Sequence, residues 1–404
     1  MKSHPSVDTS EFSKELLVLT KLLGSHSKTI IESHFVDIDW NGFLNLAFHH
    51  RVYPILYKRL KEHAYDAIPT SVLSKLHSHY SANVIAMLRL SSEMEKINYA
   101  FSVQNLKFIV LKGPILALKL YGDISLRTSK DIDILVSPND LTEAEEILIR
   151  LGYKTADKEN SILNSWKRKH HHISYIHPEN KTQIELHWRL SLELPGTSFE
   201  KLWRRKVTVQ LSKSPVNFLG NEDLFIYLVS HGARHAWFRL RWLLDIDQMI
   251  SKGMFEMSKV LDIYKQNKEQ HLAGQAMIIA QELFFTQIPN DFKSLLFSKK
   301  SNEFASTASY FIRNKTDLSP NGDEDVLKRY KSYVQSLMTM SQKFQVLIDH
   351  FYPSYKDALT LPLPKQLHFL YFPLRPFLWI VRRMKQKPVE TVNSHPKEAP
   401  HVPR

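Results

Sequence analysis

The sequence predicts an α+β protein, a small mixed β-sheet flanked by N-terminal and C-terminal helical regions. Apolar residues recur at helical spacing over residues 1–100, and short β-branched runs bounded by turn residues take over at 101–215. Amphipathic helical patterns return at 216–350, and 351–404 is an apolar and basic segment ending in a tail that reads as disordered.

A chain of 404 residues exceeds what one compact core usually absorbs, so two or three packed units are expected. With 43% hydrophobic residues, 24% charged and only 11 glycines, it reads as ordered and helix-rich. The absence of cysteine excludes a disulfide scaffold and thiol catalysis. At the start, MKSHPSVDTSEFSKELLVL breaks every apolar run with acids and serines, so no signal peptide is expected and the cytoplasm is the expected location. A net charge of +13 and a pI near 9.5 attract anions: nucleotide phosphates, nucleic acid or an acidic membrane face. Charge alone does not choose among these, and a solvated basic surface explains it equally well.

Phe12, Leu16, Leu19 and Leu23 share a helical face, as do Leu90, Met94, Ile97 and Phe101. The segment Leu44 to Leu60, containing His49, His50 and Arg51, reads as structural helix with a break near Pro54. LKFIVL, starting at Leu106, is a buried strand that ends at Lys112-Gly113. Pro114 then occupies the first position of the helix PILALKLYG, where its missing N–H costs nothing. A helix opening straight off a strand presents free N–H groups, so Lys112 and Gly113 make a candidate phosphate seat. An ordinary strand-to-helix turn explains the same residues.

DIDILV, Asp131 to Val136, alternates as a strand does, so Ile132 and Ile134 enter the core while Asp131 and Asp133 face outward together. Two like charges so close call for a cation, and hard carboxylate oxygens suit Mg²⁺ or Mn²⁺. A solvent-facing edge strand with incidental acids is the alternative. LTEAEEILIRLGY then reads as a packing helix from Asn139 or Asp140 to Gly152. HHISYIH and TQIELHWRL flank the turn Pro178-Glu179-Asn180-Lys181 as a β-hairpin, with Gln183, Glu185 and His187 on one face of its second strand. Glu185 is a third acid, able to complete a metal site or to deprotonate an acceptor hydroxyl.

The runs VLKGPILALKLYGDISLRTSKDIDILV, QIELHWRL and LVSHGARHAWFRLRWLLDIDQMI, taken together, resemble a family of uncharacterised bacterial nucleotidyltransferases within the polymerase-β-like superfamily. The resemblance spans roughly residues 40 to 250. It implies a nucleotidyltransferase palm at 101–215, with Mg²⁺ or Mn²⁺ at Asp131, Asp133 and Glu185. It further implies a nucleoside triphosphate such as ATP contacted near Lys112, Gly113 and Arg127, and transfer of the nucleoside monophosphate to a hydroxyl with release of pyrophosphate. The acceptor it leaves open: sugar, peptide, lipid or protein, with an RNA end as a further alternative. Better-known transferases carry Gly-Ser in the turn, whereas Pro114 follows Gly113 here, so Lys112, Arg127 and Ser129 are the substitutes for the missing serine.

Asn221, Glu222 and Asp223 read as the cap and first turn of a helix carrying Leu224, Tyr227, Leu228 and His231 on one face. His231 and His235 stand one turn apart and lack a local third ligand for zinc, which favours core histidines. The resemblance suggests that this helix lies over the palm, so that His235, Arg239 and Arg241 meet nucleotide or acceptor, with Asp245 orienting one of them. In WKRKHHH, 166–172, the three adjacent histidines alternate sides of the chain and are a poor chelate. Residues 256–345 read as further helices around the turn Ser319-Pro320-Asn321-Gly322. LHFLYFPLRPFLWIVRRMKQK, 367–387, is too short and too broken by Pro373 and Pro376 to span a bilayer. It suits packing on the chain's own helices, a partner protein, or peripheral contact with the inner face of a membrane. A catalytically inactive helical adaptor that docks through this segment is the non-enzymatic alternative.

Overall fold

The computed structural model describes residues 7–24, 31–63, 65–155, 162–163, 165–190, 197–211, 214–316, 318 and 322–385. The chain divides into two compact units, Met1–Lys158 with His170–Lys343, and Glu159–Lys169 with Phe344–Arg404.

The first unit is an α+β fold around a seven-stranded mixed sheet. Its strands are β1 (Phe108–Val110), β2 (Asp131–Val136), β3 (Lys154–Thr155), β4 (His172–Ile176), β5 (Gln183–His187), β6 (Val207–Gln210) and β7 (Pro215–Phe218), in the spatial order β3-β4-β5-β2-β1-β7-β6. β1 runs antiparallel to β2 and parallel to β7, while β2 runs parallel to β5 and β4 antiparallel to β5. The expected hairpin is the β4–β5 pair. Ile132, Ile134, Ile184 and Leu186 are fully buried on one face of the sheet, as alternation requires.

Gly113 caps the helix Pro114–Tyr121 with φ +84° and ψ −151°, a conformation that only glycine adopts without strain. The helix Lys14–Leu23 and the long helix Thr70–Val103 bury the expected stripes, Leu16, Leu19 and Leu23 in one and Leu90, Met94, Ile97 and Phe101 in the other. The helix Leu141–Arg150 buries Leu141, Ala144, Ile147 and Leu148. Between Leu44 and Leu60 the break comes earlier than Pro54. One helix ends at His49 and the next starts at Tyr53, with Arg51 in the left-handed region at φ +55°. Pro54 falls in the first turn of the second helix, where a missing N–H is harmless. Asn221 is not the cap of the helix Asn221–Arg234. Gly220 takes that position, and the Asn221 amide instead donates to Met254 O at 2.5 Å.

The helices Asn221–Arg234 and Leu240–Ser251 meet in a tight turn where Trp237 folds back on Gly232. A Cβ on Gly232 would stand 2.2 Å from the Trp237 ring, so this close approach excludes any side chain. A buried ion pair fastens the second helix to the sheet. Asp245 accepts from Arg127 Nε at 3.0 Å and Nη2 at 2.9 Å, and from the Tyr121 hydroxyl at 2.8 Å.

The second unit packs Ile162, Tyr371 and Leu378 with Ala358, Leu363 and Leu374. Its buried Asp357 accepts from Arg375, Arg382 and Ser354. The helix Tyr371–Lys385 runs on through the residues that interrupt the apolar run: Pro373 lies in its first turn, and Pro376 removes one N–H from its interior. Phe351, Phe369, Phe377, Trp379, Ile380 and Met384 are exposed. No described helix is long and apolar enough to cross a membrane. The expected turn at 319–322 lies mostly, and the expected disordered tail after Pro388 wholly, outside the described residues.

Candidate active site

Parallel pairing of β2 with β5 sets Asp133 beside Glu185 and Asp131 beside Gln183. Antiparallel pairing of β4 with β5 sets His172 opposite His187 and Ser174 opposite Glu185. Alternation therefore gathers Asp131, Asp133, Glu185, His187 and His172 on the face opposite the isoleucines. Leu111 extends the ladder by donating its N–H to Asp133 O at 2.9 Å, which brings Lys112 over the acids.

Asp133 does not face solvent, as alternation alone suggested; it is fully buried. Its Oδ1 meets Lys112 Nζ at 3.1 Å and His187 Nε2 at 3.2 Å, and its Oδ2 has no hydrogen-bond partner. Lys112 in turn lies over the ring of Tyr227, 5.6 Å from its centroid. Glu185 remains partly exposed, with Oε2 at 3.5 Å from His187 Nε2 and 3.8 Å from His172 Nε2.

Burial by itself opposes a charged Asp133, but Lys112 and the His187 hydrogen bond outweigh it and hold the carboxyl below its usual range. Burial likewise opposes the Lys112 ammonium, and Asp133 reverses the sign and raises it. His187 is raised too, since its hydrogen bonds to Asp133 and Glu185 overcome desolvation. Asp131 is raised by burial and by the charge of Asp133. His172 is lowered to about 4, by burial first and then by His187.

The ligand atoms of Asp133, Glu185 and His187 all lie within 4.8 Å of one another, and Asp131 falls outside that set. Two carboxylates, an imidazole and an unpartnered buried carboxylate oxygen fit a divalent cation. His171, His172 and His187 form a second such group. As expected, the three adjacent histidines do not form the group by themselves: it takes His171 and His172 with His187 of the neighbouring strand.

The other expected contacts are placed differently. Arg127 is buried and engaged with Asp245, so the arginine that Asp245 orients by hydrogen bonds is Arg127. Ser129 donates to Asp131 O at 3.2 Å and so shapes the loop before β2. His235 stacks on Trp242 at 5.0 Å, with His231 edge-on to the same ring. Arg241 donates to Thr128 O and Oγ1, at 2.5 and 2.9 Å, and its buried Nε has no partner. Burial, then Arg127 and Arg51, push the Arg241 guanidinium down to about 9, the mark of positive charge gathered without enough counter-charge. Arg51 makes no side-chain hydrogen bond among the described residues, and its electrostatic partner is Asp131.

Residues 36–285 match the family described as uncharacterised nucleotidyltransferase. The chain belongs to that family. No curated protein and no solved structure matches the chain. The family span includes β1 to β7 and the helices through Phe284, so this nucleotidyltransferase carries its acids, Lys112, Arg51 and Arg241 inside the matched region. Sequence reasoning gave no role to His187 or Arg51. His187 had a signal in its position two residues after Glu185; Arg51 had none, because its left-handed bend is set by tertiary packing.

Buried and half-buried histidines are expected to set the acid limit of this transferase. His49, His50, His171, His172, His231, His235 and His271 are all lowered, by burial first. His50 is fully buried and its Nδ1 accepts the Leu240 N–H at 3.3 Å, a bond that protonation would break. Below pH 6.5 the unfolded chain binds protons that the folded chain refuses, so stability falls with pH. For His50 the slope approaches about 1.4 kcal/mol per pH unit. His187 has the opposite sign: its contribution is full below pH 6.5 and fades as pH rises through its raised value. Melting temperatures measured from pH 8 to pH 5 should drop steeply below pH 6.5; a flat profile would contradict the burial of these rings.

Proposed function

We propose that the protein transfers a nucleoside monophosphate from a nucleoside triphosphate to a hydroxyl acceptor, with Asp131, Asp133 and Glu185 as its metal-binding and catalytic acids. The observation that carries the reading is the buried Asp133 beside Glu185, with one oxygen unpartnered, inside the matched nucleotidyltransferase region. Mg²⁺ or Mn²⁺ held there supplies Lewis-acid polarisation of the α-phosphate. The acceptor hydroxyl gives its proton to Glu185 as its oxygen bonds to the α-phosphorus, the bond to the β-phosphate breaks, and pyrophosphate leaves with the electron pair. Lys112, Arg51 and Arg241 neutralise the phosphate charge, with Gly113 opening a helix N-terminus beside Lys112. Arg127 and Ser129 act by holding the loop that carries Asp131. His235, stacked on Trp242, supports the nucleotide side from the covering helices.

The acceptor is a sugar, peptide, lipid or protein hydroxyl, and the basic surface leaves an RNA end as a second choice. Exposed rings in the second unit, with Arg383 over Trp379, favour a peripheral contact with the inner face of a membrane or with a partner protein. Calorimetry with non-hydrolysable analogues of the four triphosphates, with Mg²⁺ or Mn²⁺, tests the nucleotide reading. At least one should bind, only with metal, and Arg51→Ala should weaken it by roughly tenfold without lowering the melting temperature. Failure of all four to bind with either metal would sink the assignment and favour the adaptor.

A further inference from the structure

We propose that His187 is itself a metal ligand, through Nε2, and that the site consequently prefers Mn²⁺ to Mg²⁺. This rests on the metal-dependent reading above. His187 follows Glu185 by two residues on β5, so both side chains leave the strand on the face that carries Asp133. Its Nε2 stands 3.2 Å from Asp133 Oδ1 and 3.5 Å from Glu185 Oε2, which points one ring nitrogen between the two carboxylates. Neighbouring ligands of one small cation, each bound at about 2.1 Å, stand about 3 Å apart. His187 Nε2 thus already stands from each carboxylate at nearly the spacing of neighbouring ligands in a coordination shell, with all three groups' ligand atoms within 4.8 Å.

The ring is able to present that nitrogen. His187 Nδ1 is buried and makes no hydrogen bond, so no second contact fixes the tautomer with its proton on Nε2. The proton can reside on Nδ1 while Nε2 offers its lone pair. His172 lies 3.8 Å from Glu185 and beside the His187 ring, and is not a member of the Asp133, Glu185 and His187 set. The close set is two carboxylates and an imidazole, so His187 joins the acids of the proposed site, with Asp131 beyond the 4.8 Å group. Mg²⁺ favours oxygen and retained water, whereas Mn²⁺ binds carboxylate and accepts imidazole as well. One nitrogen in the set therefore shifts the choice of metal.

Electron spin echo modulation of Mn²⁺ bound to the full-length protein, with no nucleotide present, tests the assignment directly. The wild type should show the nitrogen coupling of a directly bound imidazole, altered when histidine is labelled with ¹⁵N. His187→Gln should abolish that coupling and narrow the ratio of Mn²⁺ to Mg²⁺ affinity by about tenfold or more, and His172→Gln should retain the coupling. Bound Mn²⁺ without nitrogen coupling in the wild type would overturn the role of His187 and leave the metal-dependent reading intact. Coupling that survives in His187→Gln would overturn it as well. Failure of Mn²⁺ to bind at all would overturn both. Because the deciding measurement is on the wild type, poor folding of a variant does not obscure it.

Discussion

Replacing Asp133 with asparagine should lower nucleotidyl transfer by about a thousandfold or more, since several kcal/mol of charge stabilisation in the transition state disappear with one formal charge. The substitution keeps shape, so the loss should appear chiefly in turnover and in metal affinity, with secondary structure unchanged. Asp133→Ala should do more. It leaves the Lys112 ammonium, only 14% exposed, without its nearest counter-charge, and breaking a buried pair from one side costs about 3–5 kcal/mol. Adding Lys112→Met to Asp133→Ala should restore much of that stability while restoring no activity. This divergence separates the two roles of the carboxylate, and wild-type turnover in Asp133→Asn would remove it from the chemistry.

The second large effect is expected at Asp245, whose carboxylate holds Arg127 in the segment before β2. Its carboxylate is 0% exposed and its partner Arg127 only 2%, and the Tyr121 hydroxyl adds a third donor. Burial opposes the Arg127 charge, and Asp245 overrides it and holds the guanidinium protonated. Asp245→Ala therefore strands a cation that has little access to water, at a cost of about 3–5 kcal/mol. The urea midpoint should fall accordingly. The double variant Arg127→Met/Asp245→Leu should lose less than Asp245→Ala alone, because no buried charge is left unpaired. Equal losses in the two variants would mean that Arg127 finds compensation elsewhere.

Much of the sheet was legible because strands announce themselves locally. The alternation in DIDILV and QIELHWRL fixed which side chains share a face, and Gly113-Pro114 marked a helix start that needs a positive φ and tolerates a missing N–H. What stayed hidden depends on distant residues. Arg127 looked free for phosphate because Asp245 lies 118 positions further on. Asp133 looked exposed because its partners are Lys112, from the end of the neighbouring strand, and His187, 54 positions further on. The bend at Arg51 and the passage of a helix through Pro376 are likewise tertiary outcomes that override local preference.

β2 and β5 meet in parallel, and that seam joins the antiparallel pair β1–β2 to the antiparallel hairpin β4–β5. Asp133 and His187, 54 residues apart, face each other only across it. Neither portion owns the cation site. Closing a seam of such sequence separation comes late in assembly, so metal affinity would be acquired near the end of folding and could serve as a clock for it.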